Sequence, residues 1–288
     1  MTKLKQFTYR VLCGFFLGFS AFAPGFSGSV MAIMMGIYQD LIRILSNPLK
    51  QIKDNIRFFI PLLLGALLSF LLFVWAFELL FETYERATLL LFVGLMAGNL
   101  PVIFRTVRTF DLQGRYLVGG ALSFALALGM GIAGIGAARM TLSDNMLILQ
   151  LAISGFIAGA ITLVPGMSIS AILIMLGVYG YLIAMGGELL RLNFSYLPEL
   201  GILLACAIIG LVLTSRGIKR VFERHPGFAN TCVLGFMMGT LIGIFIESLY
   251  VPDPNFTWPL GGIALAAGLG VSWLFLLLSK KMNQKTDG

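Results

Sequence analysis

The sequence has very little of the chemistry on which most enzymes and metalloproteins depend: it has one histidine and three cysteines in 288 residues. His225 lies in a basic loop, RGIKRVFERHPG, where a solvated side chain is expected. Cys13, Cys206 and Cys232 lie in apolar segments without the spacing of metal ligands, so we interpret them as small buried hydrophobes. The sequence therefore predicts no His/Cys metal site, no histidine-based catalytic dyad and no resident cofactor.

Charged residues are also scarce. They make up 11% of the chain, hydrophobic residues make up 58%, and the mean hydropathy is +0.94. This composition is typical of polytopic membrane proteins. A helix needs roughly 20 apolar residues to cross a ~30 Å hydrocarbon core. The sequence predicts an all-α membrane protein with full spans near 58–80, 87–104, 116–138, 198–214, 228–248 and 258–279. No small-residue cleavage site follows the first residues, which we interpret as a retained end.

The positive charges are unevenly distributed along the chain. Seventeen of the 20 Lys and Arg residues lie in five segments, 3–10, 43–57, 105–115, 216–224 and 280–285. The positive-inside rule assigns these segments to the cytoplasmic side, beside anionic lipid headgroups, and the acidic segments to the outside. Both termini are then expected to be cytoplasmic.

Two segments cannot cross the membrane under this assignment. The basic segments that flank residues 11–38 lie on one side, yet these 28 residues form only about 42 Å of helix, too little for two crossings. We expect a re-entrant hairpin over 11–38, and the same reasoning predicts another over 147–184 that enters from outside. The predicted topology is two repeats, 1–140 and 141–288, each with one hairpin and three spans. Because three is odd, the repeats are inverted relative to one another.

An internal repeat favours the same topology. Between 14–38 and 155–179, 11 of 25 positions are identical at an offset of 141 residues. GLMAGNL at 94–100 matches GFMMGTL at 235–241 at the same offset. Three blocks that share one ungapped offset indicate a duplication.

Each repeat has a helix breaker at the tip of its predicted hairpin. Proline removes a backbone donor, and glycine permits a sharp turn. The predicted turn residues are Pro24, Gly25, Pro165 and Gly166. Serines follow both turns, and hydroxyls at a helix N-terminus form a site for phosphate or carboxylate. The candidate substrate-binding residues are Ser27, Gly28, Ser29, Ser168 and Ser170.

Broken backbone inside a bilayer must be satisfied by protein or by a polar cavity. Two tips that approach one another from opposite faces form the central site of a secondary transporter. In the alternative interpretation, each Pro-Gly pair only kinks a helix and the serines bond back to local carbonyls.

Other polar residues have two interpretations each. Glu78 and Glu247 either reach the outer interface or couple transport to a proton. Asn99 and Thr240, at equivalent repeat positions, either make helix–helix hydrogen bonds or coordinate an ion such as Na⁺. Arg139 either anchors a helix or receives an anionic headgroup from the outer leaflet. The sequence leaves the coupling ion and the oligomeric state open, and a homo-oligomer is compatible with it.

The paired motif, PGFSGSVMAIMMGIY and PGMSISAILIMLGVY, resembles the polyprenyl-phosphate transporter (PopT) family over roughly residues 10–280. The resemblance implies a flippase-type carrier of the bacterial cytoplasmic membrane. Such a carrier returns undecaprenyl phosphate from the outer to the inner leaflet for the synthesis of peptidoglycan and other envelope polymers. The resemblance also implies that the phosphate lies at the motif serines and amides. Because Ile169 stands where the first copy has Gly28, the two half-sites are not expected to be equivalent.

Two other functions are compatible with inverted hairpins. A lipid-pyrophosphate phosphatase also has PGxS-like hairpins, but its chemistry needs a motif arginine and intramembrane glutamates. Neither predicted hairpin contains an arginine or an acidic residue. The other function is that of a carrier or channel for a small soluble anion. Spans without buried charge suit a lipid path better, so the sequence favours a lipid carrier that is not an enzyme.

Overall fold

A computed structural model describes residues 3–26, 28, 31–32, 35–41, 52–110, 114–138, 144–162, 164 and 167–283. Within these ranges the long elements are all helices, and no residue is in a strand. The helices are α1 (Lys3–Phe22), α2 (Ile52–Arg108), α3 (Gly114–Ala138), α4 (Asp144–Ile161), α5 (Ile169–Met175), α6 (Tyr179–Leu190), α7 (Leu197–Arg224), α8 (Pro226–Tyr250) and α9 (Trp258–Asn283). The predicted all-α class is confirmed for the described part of the chain.

Helix α2 is 57 residues long and folds back on itself. Its backbone leaves helical geometry at Tyr84 (φ −141°, ψ 51°). The rings of Phe77 and Phe92 lie 5.3 Å apart, whereas a continuous helix would separate residues so far apart in sequence by about 22 Å. The two arms of α2 therefore run in opposite directions, and they contain the predicted spans 58–80 and 87–104.

Several helices are suited to a bilayer. Helices α2, α3, α7, α8 and α9 are long and apolar enough to cross one, and α5 with α6 passes the same test as a pair bent by 112°. The most apolar stretches of α7 and α9 are only 11% and 17% buried inside the protein. Leu213 of α7 and Trp273 of α9 are 68% and 67% exposed. Apolar faces of this extent are covered by lipid, so the protein is a multi-pass membrane protein.

Basic side chains collect at one end of the helix bundle, which we call the basic end. Arg10 donates a hydrogen bond to the carbonyl of Arg57 (3.3 Å), which links the starts of α1 and α2. Gly227, just after the basic end of α7, packs against Phe110 and Tyr116, between α2 and α3. Four of the predicted cytoplasmic segments thus meet at this end, and the side of the membrane that it faces stays a prediction.

Helix pairs repeat at the same offset as the sequence. Helix α1 packs along the first arm of α2, and α4 packs along α7. Gly14 lies against the backbone of Leu62, and Gly155 lies against the backbone of Leu203, so each contact has its counterpart 141 residues later. The remaining pairs are exchanged between the halves: α3 packs on α8, and α9 packs on the second arm of α2.

The chain after each turn is broken once more, a feature that the sequence analysis did not predict. Helix α5 ends at Met175, and α6 begins only at Tyr179. Gly177 has a φ of +71°, and the Val178 N–H donates to the Leu173 carbonyl (3.0 Å). The first half repeats this geometry: Gly36 has a φ of +64°, and the Ile37 N–H donates to the Ala32 carbonyl (3.0 Å). A left-handed glycine with this hydrogen bond is a common helix terminator.

A side chain from the preceding helix satisfies a backbone carbonyl at each of these breaks. The Tyr9 hydroxyl donates to the Met35 carbonyl (2.6 Å), and the Gln150 amide donates to the Leu176 carbonyl (2.8 Å). Residues 35–41 therefore lie beside the early part of α1. Ile37 is buried there in a cluster with Cys13, Ala32, Phe58 and Leu62.

Candidate functional site

The first candidate turn follows α1. Pro24 cannot donate a backbone hydrogen bond, and Gly25 has a φ of +91°, in the region that favours glycine. A Cβ on Gly25 would lie 3.1 Å from the Met96 Cα and 3.3 Å from the Asn99 Nδ2. The turn thus packs against the second arm of α2 without space for a side chain. Position 25 requires glycine for its backbone conformation and for its surroundings.

The second candidate turn lies between α4 and α5. The Val164 N–H donates to the Ile161 carbonyl (2.8 Å), and the Met167 N–H donates to the Val164 carbonyl (3.3 Å). The second bond has a counterpart 141 residues earlier, where the Phe26 N–H donates to the Ala23 carbonyl (3.3 Å). The described parts of the two turns therefore have the same local hydrogen bonding.

Ser168 and Ser170 form a buried hydroxyl pair at the second turn. Their Oγ atoms lie 2.9 Å apart, and the residues are 8% and 1% exposed. Ser248 instead donates to a carbonyl three residues earlier, that of Phe245 (2.6 Å). In a hydroxyl pair one oxygen donates and the other accepts, so the pair leaves one proton for another acceptor. This arrangement differs from the alternative in which both serines bond back to local carbonyls.

Helix α5, which begins at this turn, has only seven residues. Ser168 is its N-cap residue, with extended φ and ψ angles of −108° and 127°, but its hydroxyl makes no capping hydrogen bond. The dipole of so short a helix is small. Any attraction of an anion to this turn therefore depends mainly on the hydroxyl pair, which is a change from the emphasis of the sequence analysis.

The two turns meet at one small cavity. Gly25 contributes from the first turn, and Ser168 contributes from the second. The other lining residues come from α2, α5, α8 and the second turn: Met96, Met167, Ala171, Ile172, Phe236, Met237 and Thr240. The space is about the size of one water molecule. Residues 143 positions apart in the sequence thus share one central cavity that is nearly closed in this conformation.

Asn99 and Thr240 lie beside this cavity at equivalent positions. The Asn99 amide donates to the Leu95 carbonyl (3.0 Å), and the Thr240 hydroxyl donates to the Phe236 carbonyl (2.7 Å). Both bonds stay within one helix. Neither side chain makes the helix–helix hydrogen bond that was one of its two interpretations, and a role in ion coordination stays a prediction.

Tyr179 is a residue of the site that the sequence analysis did not assign. Its hydroxyl donates to the carbonyl of Phe22, the last residue of α1 (2.9 Å). Its ring lies between Phe81 and Phe92 at centroid distances of 5.6 and 5.8 Å. Tyr179 thus connects α6 to the first turn. A signal was present, because Tyr38 and Tyr179 occupy the same position in the two motif copies.

Replacing Tyr179 by phenylalanine should destabilise the protein by about 1–2 kcal/mol, because a buried carbonyl loses its donor while the ring contacts remain. Thermal unfolding of the purified variant measures this effect. Tyr250→Phe, at a site that is 59% exposed, is the control and should change the unfolding temperature little. Equal unfolding temperatures for Tyr179→Phe and the wild type would contradict a structural role of the bond.

Comparison with known proteins assigns the chain to a family. Residues 17–251 match the protein family described as VCA0040-like, undecaprenyl phosphate translocase-like. The match includes both turns and every residue that lines the cavity. The chain belongs to the undecaprenyl phosphate translocase-like family.

This translocase-like chain is also similar to a curated relative. It is 27% identical over 248 residues to the polyprenyl-phosphate transporter of Staphylococcus aureus (strain NCTC 8325 / PS 47), and the alignment covers 84% of this chain and 88% of the relative. No solved structure matches the chain. The resemblance proposed from the paired motif is confirmed.

At the end of the bundle opposite to the basic end, the translocase-like chain has an ion pair between its two halves. Arg191, after α6, lies 3.1 Å from the Glu78 carboxylate on the first arm of α2 and 2.8 Å from the Glu188 carboxylate. Glu78 is only 12% exposed, and Gly187 packs directly against its carboxylate. Glu78 is therefore paired, which neither of its sequence interpretations included. Its role in coupling stays a prediction.

Replacing Arg191 by alanine should loosen α6 from α2. In a cysteine-free background, Val74→Cys lies under Gly186 of α6, and its labelling by a membrane-impermeant maleimide should rise about fivefold, since a partly exposed ion pair contributes up to about 1 kcal/mol. Lys219→Ala removes a comparable pair with Glu223 (3.8 Å) at the basic end. Equal labelling in the two alanine variants would show that Arg191 does not hold this interface closed.

The remaining predicted residues of this translocase-like chain have different standings. Glu247 of α8 lies within electrostatic reach of Glu85 on the second arm of α2. Gly28 is helical and exposed, and a Cβ there would lie 3.4 Å from the Ser20 hydroxyl. Outside the described residues lie Ser27, Ser29, Arg139, Pro165 and Gly166. The roles assigned to all of these residues stay predictions.

Proposed function

We propose that the protein carries a polyprenyl phosphate, undecaprenyl phosphate or a close relative, from the outer to the inner leaflet of the bacterial cytoplasmic membrane. The observation that carries the proposal is the central cavity to which Gly25 and the buried hydroxyl of Ser168 both contribute. The family description and the name of the S. aureus relative support the same class of substrate. The protein acts as a carrier and not as an enzyme in this proposal.

The proposed architecture is two inverted repeats, 1–140 and 141–288, with re-entrant hairpins over 11–38 and 147–184. The hydrogen bonds of Tyr9 and Gln150 support the hairpins, because each joins the helix before a turn to the segment after it. The equivalent helix pairs and the left-handed glycines at both breaks support the duplication. Three crossings in each half then make the repeats inverted.

In this proposal the phosphate binds where the two turns meet. An isolated ion in hydrocarbon is disfavoured by tens of kcal/mol, so an unassisted crossing is very slow. The spare hydroxyl proton of the Ser168–Ser170 pair lowers this barrier, together with donors from Ser27, Gly28 and Ser29 at the other turn. Arg139 receives the headgroup from the outer leaflet. The cavity now has space for about one water molecule, so the two halves must separate slightly before a headgroup enters.

The driving force belongs to the same proposal. Rocking of the inverted halves exposes the cavity to each leaflet in turn. Coupling to Na⁺ would use Asn99 and Thr240, and coupling to protons would use Glu247 or Glu78. The apolar tail of the lipid stays in the bilayer throughout, so only the headgroup needs a polar path.

Purified protein in lipid vesicles tests this function. The vesicles contain undecaprenyl phosphate in one leaflet only, and a membrane-impermeant reagent measures how fast it reaches the other leaflet. Vesicles with the protein should equilibrate the lipid much faster than protein-free vesicles. The same vesicles should take up no inorganic phosphate and release none from undecaprenyl pyrophosphate.

The other outcomes identify the alternatives. Uptake of inorganic phosphate without movement of the lipid would replace the proposal by a carrier or channel for a soluble anion. Release of phosphate from the pyrophosphate would replace it by a lipid-pyrophosphate phosphatase. Assays in vesicles of known protein orientation then test the direction from the outer to the inner leaflet.

A further inference from the structure

A groove of about 490 Å³ opens beside the second turn, between α7 and α8 near the basic end. Its walls include Leu213, Gly217 and Val221 from α7, and Phe228, Cys232 and Phe236 from α8. Leu213 and Val221 are 68% and 40% exposed, so the groove is open at its side. The volume is within the range of roughly 300–1,000 Å³ that is typical of ligand pockets.

The groove offers hydrocarbon to a ligand and few polar groups. The Ser123 hydroxyl donates to a backbone carbonyl, that of Cys232 (2.7 Å). The Thr214 hydroxyl likewise donates to the Gly210 carbonyl (2.8 Å). Each of these hydroxyls has a single proton, so neither has a donor left for a ligand. The groove therefore suits an apolar chain and not a phosphate.

The groove is continuous with the central cavity. Met167 of the second turn and Phe236 of α8 line both spaces. A ligand that reaches from one space to the other has a polar end near Ser168 and an apolar part between α7 and α8. This is the chemistry of a lipid with one phosphate and one hydrocarbon chain.

The equivalent place in the first half is filled with apolar protein. The offset of 141 relates Ile218, Phe222 and Val233 of the groove region to Phe77, Phe81 and Phe92. There the ring of Tyr179 packs against Phe81 and Phe92 at 5.6 and 5.8 Å. The same framework thus already accommodates an apolar group in one half, whereas the groove in the other half is open.

We propose that the groove between α7 and α8 binds the part of the prenyl chain next to the phosphate while the phosphate lies at the central cavity. This inference rests on the proposed function and adds a binding site for the tail. A groove of this size holds only a few isoprene units. The remainder of the chain extends sideways into the bilayer past Leu213 and Val221.

A tryptophan at position 217 tests the inference by filling the groove. A Cβ at Gly217 meets no atom within 4 Å, and the same is true of Gly201 on the same helix but outside the groove. Gly217→Trp should lower the affinity for undecaprenyl phosphate by about tenfold or more, because it displaces several methylene groups of the tail. Gly201→Trp, the matched control, should bind as the wild type does. Dimethylallyl phosphate, whose chain is short, should bind equally to both variants.

The outcomes separate this inference from the proposed function. If the wild type binds no polyprenyl phosphate, the proposed function and the tail site both fail. If the wild type and Gly217→Trp bind undecaprenyl phosphate equally well, the tail site fails alone.

Photo-cross-linking of the wild type gives a second measurement, which also decides the matter if Gly217→Trp does not fold. A diazirine in the first isoprene units should label α7 and α8 around Leu213 and Phe228, and unlabelled undecaprenyl phosphate should compete. Labelling of these residues by a diazirine phospholipid that undecaprenyl phosphate does not displace would show that ordinary acyl chains occupy the groove. That result would overturn the inference.

Discussion

Replacing Ser168 and Ser170 together by alanine should reduce transport of polyprenyl phosphate by about a hundredfold. Hydrogen bonds to a charged group contribute about 1.5–3 kcal/mol each, and the double variant removes both hydroxyls of the buried pair. The fold should persist, because the two hydroxyls bond to each other and both partners are removed at once. The leaflet-resolved vesicle assay measures transport, and thermal unfolding measures stability.

Ser248→Ala is the matched control for this double variant. Ser248 is fully buried, and its hydroxyl donates to the Phe245 carbonyl within its own helix. The same loss of a hydroxyl away from the cavity should leave transport nearly unchanged. Transport at the wild-type rate in Ser168→Ala/Ser170→Ala would exclude the second turn as the phosphate site.

Replacing Gly25 by alanine should destabilise the protein by about 2 kcal/mol or more and abolish most transport. The left-handed conformation, with φ at +91°, disfavours an L-residue by about 1–2 kcal/mol. The new Cβ would also lie 3.1 Å from the Met96 Cα, so the turn must move away from α2. Because Gly25 lines the central cavity, this movement changes the shape of the proposed site. Unfolding temperature and lipid transport are both measured.

Gly36→Ala separates the two causes. Gly36 also has a positive φ, +64°, but a Cβ there meets no atom within 4 Å. It should share the conformational effect and lack the crowding against α2. If Gly25→Ala and Gly36→Ala were equally stable and equally active, the close packing of the first turn against α2 would have no functional importance.

The membrane-spanning framework could be predicted from the sequence because it depends on local composition. Apolar stretches of sufficient length predicted the helices, and the basic segments predicted which helix ends lie together. The Pro24-Gly25 pair predicted the end of α1, because proline and glycine act on the backbone of their own segment. The repeat predicted that both turns would have related structures.

Other features could not be predicted because they depend on contacts between distant residues. A repeat shows that Gly25 and Gly166 are equivalent, but equivalence does not show what either residue touches. The bond from Tyr179 to Phe22 and the pair of Glu78 with Arg191 join the two halves, and a hydropathy pattern carries no information on such pairs. The break after α5 did have a local signal at Gly177, but one glycine in an apolar segment was interpreted as helical.

The exchanged helix pairs affect how the chain matures during synthesis. Helix α3 packs on α8, and the second arm of α2 packs on α9. When the first half leaves the ribosome, the surfaces of its last two crossings still lack their protein neighbours and must be covered by lipid or by an insertion factor. Native assembly then waits for the end of translation. A half-length ancestor would have had to associate with an oppositely oriented copy of itself.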